Sequence, residues 1–294
     1  MEGHPVLENV YQNWLTQTEY HPVLQGNEIN EYYKAIRPQM AFPEYSLDVV
    51  QYGYFFYFKE GGVYAWTDNE MQENELQIYK RFTSVLSLTY KRYDDLQKAE
   101  AQARESQIEA GLERVRSRTL AMQNSEELAE TAVVVFQQLI GLGIAPNRLY
   151  FGIITNDSGN IEFWATDEDG TKISSKSIGN KNSNESVGKM YAGWQQQLKH
   201  LTIDMQGVEL DNYLHYLGDE LHVPFKKRVA QKRRVQTMAF FSKGFIGIAS
   251  PDEQPDETTR LLERFAAVFN LTFTRFNELK MAEAHALQAE QDFI

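Results

Sequence analysis

The chain has 294 residues, with 29 Lys and Arg against 41 Asp and Glu and a formal net charge of -12. That balance opposes binding to nucleic acid or to an anionic membrane surface, because phosphate affinity is built on excess cationic charge. The absence of cysteine excludes disulfides, thiolate metal sites, cysteine nucleophiles and thioether-linked chromophores, while 42% hydrophobic and 13% aromatic residues suffice for packed cores in two domains.

The opening residues, MEGHPVLENVYQNW, lack the basic start and apolar stretch of a signal peptide. The densest apolar clusters, Tyr54–Phe58 and Met238–Phe241, are far shorter than the ~20 residues of a membrane helix. A cytoplasmic protein with no direct membrane contact is expected.

From residue 125 the pattern is clear. Ser125–Leu142 is predicted as a helix, with Ser125 as a cap and Leu128, Ala132, Val135, Phe136 and Leu139 as its apolar stripe. Gly141, Gly143 and Pro146 end it. Arg148–Thr155 and Ile161–Thr166 read as strands around the turn NDSGN, and Asp167–Gly170 as a second turn. Helices over Glu185–His200 and Val208–Leu221 flank a short strand, Leu201–Asp204. Val235–Lys243 and Phe245–Ser250 form a hairpin about Gly244, and a long helix starts near Pro255. Leu149, Phe151 and Ile153 alternate with Tyr150, Gly152 and Ile154, so both faces of that strand must be covered. The expected class is α+β, a mostly antiparallel sheet with helices on both faces.

The chain repeats itself. KRFTSVLSLTYKRYDDLQKAEAQA from Lys80 matches ERFAAVFNLTFTRFNELKMAEAHA from Glu263 at a shift of 183 residues. With small gaps, Tyr11 and Trp14 correspond to Tyr191 and Trp194, and Gly26, Glu28 and Tyr32 to Gly207, Glu209 and Tyr213. Residues 124–275 read as a whole domain, and residues 1–95 as the rear portion of one, an incomplete first copy whose start at Met1 falls inside the repeat. A helical linker over 96–123 and a signalling helix over 276–294 complete the division. Leu279, Ala282, Ala286, Ala289 and Phe293 step by threes and fours, as do Leu96, Ala99, Ala103, Ser106 and Ala110. Ile108, Leu112, Val115, Thr119 and Met122 form a second seam in another phase. Both seams are expected to form a coiled coil in a parallel homodimer.

LERVRSRTLAMQNSEELAETAVVVFQQLIGLGI, RLYFGII, IEFWATDEDG and QTMAFFSKGFIGIASPDEQPDETTRLLERFAAVFNLTFTRF closely resemble the GAF-type sensory domains of Bacteroidota signalling proteins, which carry such domains in tandem before a histidine kinase core. The ending KMAEAHALQAEQDFI looks like the helix that leads into the kinase dimerisation segment. The resemblance implies an antiparallel sheet flanked by helices, a small-molecule pocket on one face and a downstream kinase or other effector. The Asn-Lys…Phe…Asp-Glu motif of cyclic-nucleotide-binding relatives is not recognisable, and no covalent bilin is attachable without cysteine. No ligand is therefore inherited, and no cofactor is expected.

The residues themselves carry no catalytic pattern. The six histidines, His4, His21, His200, His215, His222 and His285, form no HExxH, and no phosphate loop is present. Asp167, Glu168 and Asp169 lack the alternation of a calcium loop. Lys226, Lys227, Arg228, Lys232, Arg233 and Arg234 are a basic island, read mainly as a solvated face and otherwise as an anion or nucleotide-phosphate contact near a pocket mouth or a docking patch for an acidic partner. Trp164, Tyr191, Trp194, Tyr213, His215 and Phe240 are the candidate ligand-binding residues, with core packing as the competing role for the aromatics. A non-enzymatic sensory and signal-transmission module is expected, with an unidentified small molecule as its partner. A structural dimerisation spacer with a filled pocket is the alternative.

Overall fold

The computed structural model describes residues 4–36, 45–144, 148–154, 158–166, 173–223 and 231–292. The chain divides into two compact units, Met1–Ala103 and Arg104–Ile294.

In the first unit, α1 (Pro5–Thr16) opens on a proline and is capped by His4, whose Nδ1 accepts the Val6 N–H at 3.2 Å. β1 (Val23–Gln25), α2 (Asn27–Ile36), β2 (Val50–Phe58) and β3 (Gly61–Thr67) follow, and the strands form an antiparallel sheet in the order β1-β2-β3. Val6, Leu24, Ile29, Tyr32 and Tyr33 make its core, with Trp66 against Tyr32 at 5.1 Å between ring centroids. Trp14 lies against Tyr11 at 5.8 Å. α3 (Glu73–Leu120) belongs to this unit as far as Ala103 and to the second from Arg104.

The second unit continues with α4 (Leu128–Gly141), β4 (Arg148–Ile153), β5 (Asn160–Thr166), β6 (Ile173–Asn180), α5 (Glu185–Gln195), β7 (His200–Gln206), α6 (Gly207–His215), β8 (Arg233–Phe241), β9 (Gly244–Ser250) and α7 (Asp256–Asp292). Its six strands pair antiparallel in the order β6-β5-β4-β9-β8-β7. The tail of α3 together with α4 and α7 covers one face, through Leu112, Val115, Phe136, Leu139, Phe265 and Phe269 over Phe151, Ile246 and Phe241. The other face carries Tyr150, Phe163, Met238 and Phe245, in one core with Tyr191 of α5 and Leu210 and Tyr213 of α6.

The units share an element order of helix, strand, helix, hairpin and long helix. Both hairpins turn through two residues, with Phe58 facing Gly61 and Phe241 facing Gly244. The helix after the first strand opens in each case at a left-handed glycine, Gly26 with φ 58° and Gly207 with φ 54°. The environments then diverge. Phe265, Val268 and Phe269 on α7 are 0, 5 and 0% exposed, whereas Phe82, Val85 and Leu86 at the equivalent places on α3 are 63, 60 and 45% exposed. Likewise β9 lies between β8 and β4, while β3 has a partner among the described residues on one side only.

Four expectations are corrected. The helix expected from Ser125 opens with a single 3-10 turn, Ser125–Glu127, and α4 begins only at Leu128 with Glu127 at its N-cap position, where the Glu127 carboxylate accepts the Gln123 N–H at 3.0 Å and pairs with Arg118 at 2.8 Å. The helix predicted to run from Val208 to Leu221 ends at His215 and passes into a π turn, Tyr216–Glu220. β6 was not expected: its ISSKSIGN sequence lacks the alternation of a core strand. Most consequentially, Ile108, Leu112, Val115, Thr119 and Met122 are not a dimer seam but core of the second unit. α3 and α7 run side by side there. Arg264 bonds Glu105 at 2.8 Å and Glu109 at 2.6 Å, and the Thr119 and Thr272 hydroxyls meet at 2.5 Å.

Candidate ligand site

The structure separates the predicted site residues. Trp164 faces the α4 and α7 side of the sheet, where its indole N–H donates to Glu162 at 2.7 Å and Lys176 Nζ stands 3.9 Å from the ring centroid. Tyr191 and Tyr213 are buried on the opposite side. Trp194 is half-buried beside Tyr191, with ring centroids 5.4 Å apart, and its indole N–H donates to the Ser242 carbonyl at 3.1 Å. With Phe240 and Ser242 it lines a cleft of about 520 Å³. His215 is exposed, its Nδ1 2.8 Å from the Asp211 carbonyl, on a polar groove of about 370 Å³ shared with Ser183, Glu209 and Asp219. Asp167, Glu168, Asp169, Lys226, Lys227 and Arg228 lie outside the described residues.

Tyr213 alone of the six belongs to a buried polar cluster. The even-numbered residues of β8 and β4 face α6, which sets Arg234, Gln236, Arg148 and Tyr150 on that side. Arg148 and Gln236 stand on either side of Ala249 across the sheet. Tyr150 leans over Gly247, where an added Cβ would come within 2.3 Å of the ring. Gln236 Nε2 donates to the Tyr213 hydroxyl at 3.2 Å. The Arg234 guanidinium donates from Nη1 to Gln231 at 3.2 Å, and its Nε has no partner. The Tyr150 hydroxyl and Gln236 Oε1 are also without partners. Burial drives the Arg234 guanidinium below its ordinary range, against the opposing pull of Tyr213 and Tyr150. Burial likewise pushes the Tyr213 hydroxyl up to about 12, and Tyr150 well above its usual value.

Arg148 and Arg234 are the buried charged side chains among the described residues, and no carboxylate of the described residues is buried. Sequence reasoning placed Arg234 in a solvated island and passed over Arg148. The signal was parity: Arg234 and Gln236 share their face with Met238. Among the described residues no group of three or more His, Asp or Glu is arranged to hold a metal ion. Nor is any helix of these residues long and apolar enough to cross a membrane. No protein-family model and no curated protein sequence matches the chain.

Proposed function

We propose that the chain is a non-catalytic sensory and signal-transmission module built from two GAF-like units, the first incomplete. It acts as a cytoplasmic parallel homodimer and passes a ligand-dependent change through its long helices to an effector such as a histidine kinase. One observation carries this reading: the helix that closes each sheet also continues past it. α7 packs on the sheet through Phe265 and Phe269 and extends to Asp292, and α3 runs on from the first unit into the core of the second. On α3, Leu96, Ala99, Ala103 and Ala110 are exposed and follow heptad spacing, the pattern of a seam that meets its like in a second copy. A ligand that prefers one packing of the sheet against these helices shifts their equilibrium by its differential affinity.

The spacer reading has its own support in the filled sheet face. Phe245 occupies the space over Gly152, where an added Cβ would lie 2.2 Å from the ring, much as Tyr150 fills that over Gly247.

The lack of cysteine makes the test direct. Single cysteines at Ala99, Ala103 and Ala282 should each form same-site disulfides under mild oxidation, with yields that change when a ligand binds. A monomer at all accessible concentrations, or cross-linking indifferent to position, would refute the dimeric transmission mechanism. Ligand-independent yields would favour the spacer.

A further inference from the structure

Arg234 is 3% exposed, and its Nε finds no acceptor. A buried cation is ordinarily paired, since the interior penalises an uncompensated charge. An orphaned buried donor calls for an explanation, and a bound group is one. Several donors share this face of the sheet. The Arg234 fork, the Tyr150 hydroxyl and the Tyr213 hydroxyl lie on one side of the sheet, the last two close enough for the guanidinium charge to be felt at both. Gln236 already gives its amide hydrogen to Tyr213, so the Tyr213 proton is left to donate. No carboxylate of the described residues is buried with them, in a chain whose net charge is -12. Ala249 puts a short side chain between Arg148 and Gln236, and Phe163 and Met238 give the surroundings an apolar character.

We propose that this cluster binds the oxyanion of a small molecule, a carboxylate or phosphate group, on Arg234, Tyr150 and Tyr213. A planar guanidinium fork matches either group in two parallel hydrogen bonds, and the hydroxyls complete the set of donors. The proposal deepens the sensory reading by naming the ligand class. It stands apart from the transmission mechanism, since an oxyanion that binds without altering the helix cross-links would keep this site and sink that reading.

The experiment is thermal unfolding of the full chain with benzoate, acetate, phenyl phosphate or inorganic phosphate at millimolar concentration, and with benzylamine as the cationic control. The expected result is a dose-dependent rise in Tm with at least one oxyanion and none with benzylamine. Benzoate against phenyl phosphate separates the two sources of the anion. In Arg234→Met the rise should vanish, while Tm in plain buffer stays equal to or above that of the parent, because an unpaired buried charge is gone. Should that variant fail to fold, Tyr150→Phe carries the same test with a weakened rise. No rise with any oxyanion, or a rise unchanged in the variant, would overturn the proposal.

Discussion

Phe265 and Phe82 occupy equivalent places on the two long helices, and truncating each to alanine should have unequal cost. Phe265 is fully buried and touches α3 near Gly111, where an added Cβ would sit 3.6 Å from its ring. Losing the ring removes its transfer energy and leaves a cavity, about 3–5 kcal/mol in all. Phe82 is 63% exposed, so about a third of its burial is at stake. Of the ~1.5–3 kcal/mol that full burial gives, about 1 kcal/mol is lost. The better helix propensity of alanine returns roughly half of that. At about 2–4 °C per kcal/mol for a unit of this size, Phe265→Ala should lower the melting temperature of the second unit by about 6–20 °C. The first unit is smaller and shifts by about 4–8 °C per kcal/mol, so Phe82→Ala should move it by about 2–4 °C. Calorimetry at several concentrations, the lowest of them monomeric by light scattering, measures both. An equal loss from Phe82→Ala in the monomer would mean that the α3 ridge is covered within one chain, and the contrast between the units would be wrong.

Further outcomes concern single side chains and backbone positions. Glu127 is held below the usual carboxylate range, first by the Gln123 N–H and then by Arg118. With the folded pKa depressed, its contribution is present above the unfolded value of about 4.3 and is lost as pH falls through the folded one. Glu127→Gln should therefore flatten the acid limb of a stability–pH profile, and an unchanged limb would remove Glu127 from that role. Gly207→Ala should cost about 1–2 kcal/mol from its left-handed backbone alone, since nothing lies within 4 Å of an added Cβ. Gly26→Ala should cost at least as much, because its Cβ would meet the Leu47 carbonyl at 3.0 Å. Gly141→Ala, at the end of α4 with open space around it, should instead gain up to about 1 kcal/mol in urea unfolding.

The parts of the fold legible in the sequence were those in which pattern and partner coincide. The β8–β9 hairpin announces itself by two apolar runs around Gly244, and α4 by its stripe of Leu128, Val135, Phe136 and Leu139. The shared glycines at the heads of α2 and α6 mark a backbone need that survives divergence of the surrounding side chains. β6 was hidden because an edge strand pairs on one side and does not require an alternating apolar face. The Ile108–Met122 spacing was misassigned because threes and fours describe any helix laid along another. The chain's own α4 and α7 satisfy it here as well as a second copy would. At the site, Phe163 and Trp164 are adjacent apolar residues on a strand buried on both sides, so composition does not say which of them faces α6. Arg234 was read by its neighbours in sequence, Lys232 and Arg233, whereas its environment is set by its neighbours across the sheet.

The four tryptophans divide evenly, Trp14 and Trp66 in the first unit and Trp164 and Trp194 in the second. That distribution makes the chain optically separable. With Trp14 and Trp66 changed to phenylalanine, all indole emission comes from the second unit, and its two sources occupy unlike surroundings. Trp164 is buried with an ammonium over its ring, a setting for blue-shifted light, while Trp194 is half-buried and tied to the hairpin loop at Ser242. Loosening of that hairpin would redden the Trp194 component and leave the Trp164 component in place. The two faces of one sheet can thus be followed at two wavelengths in a single unlabelled sample.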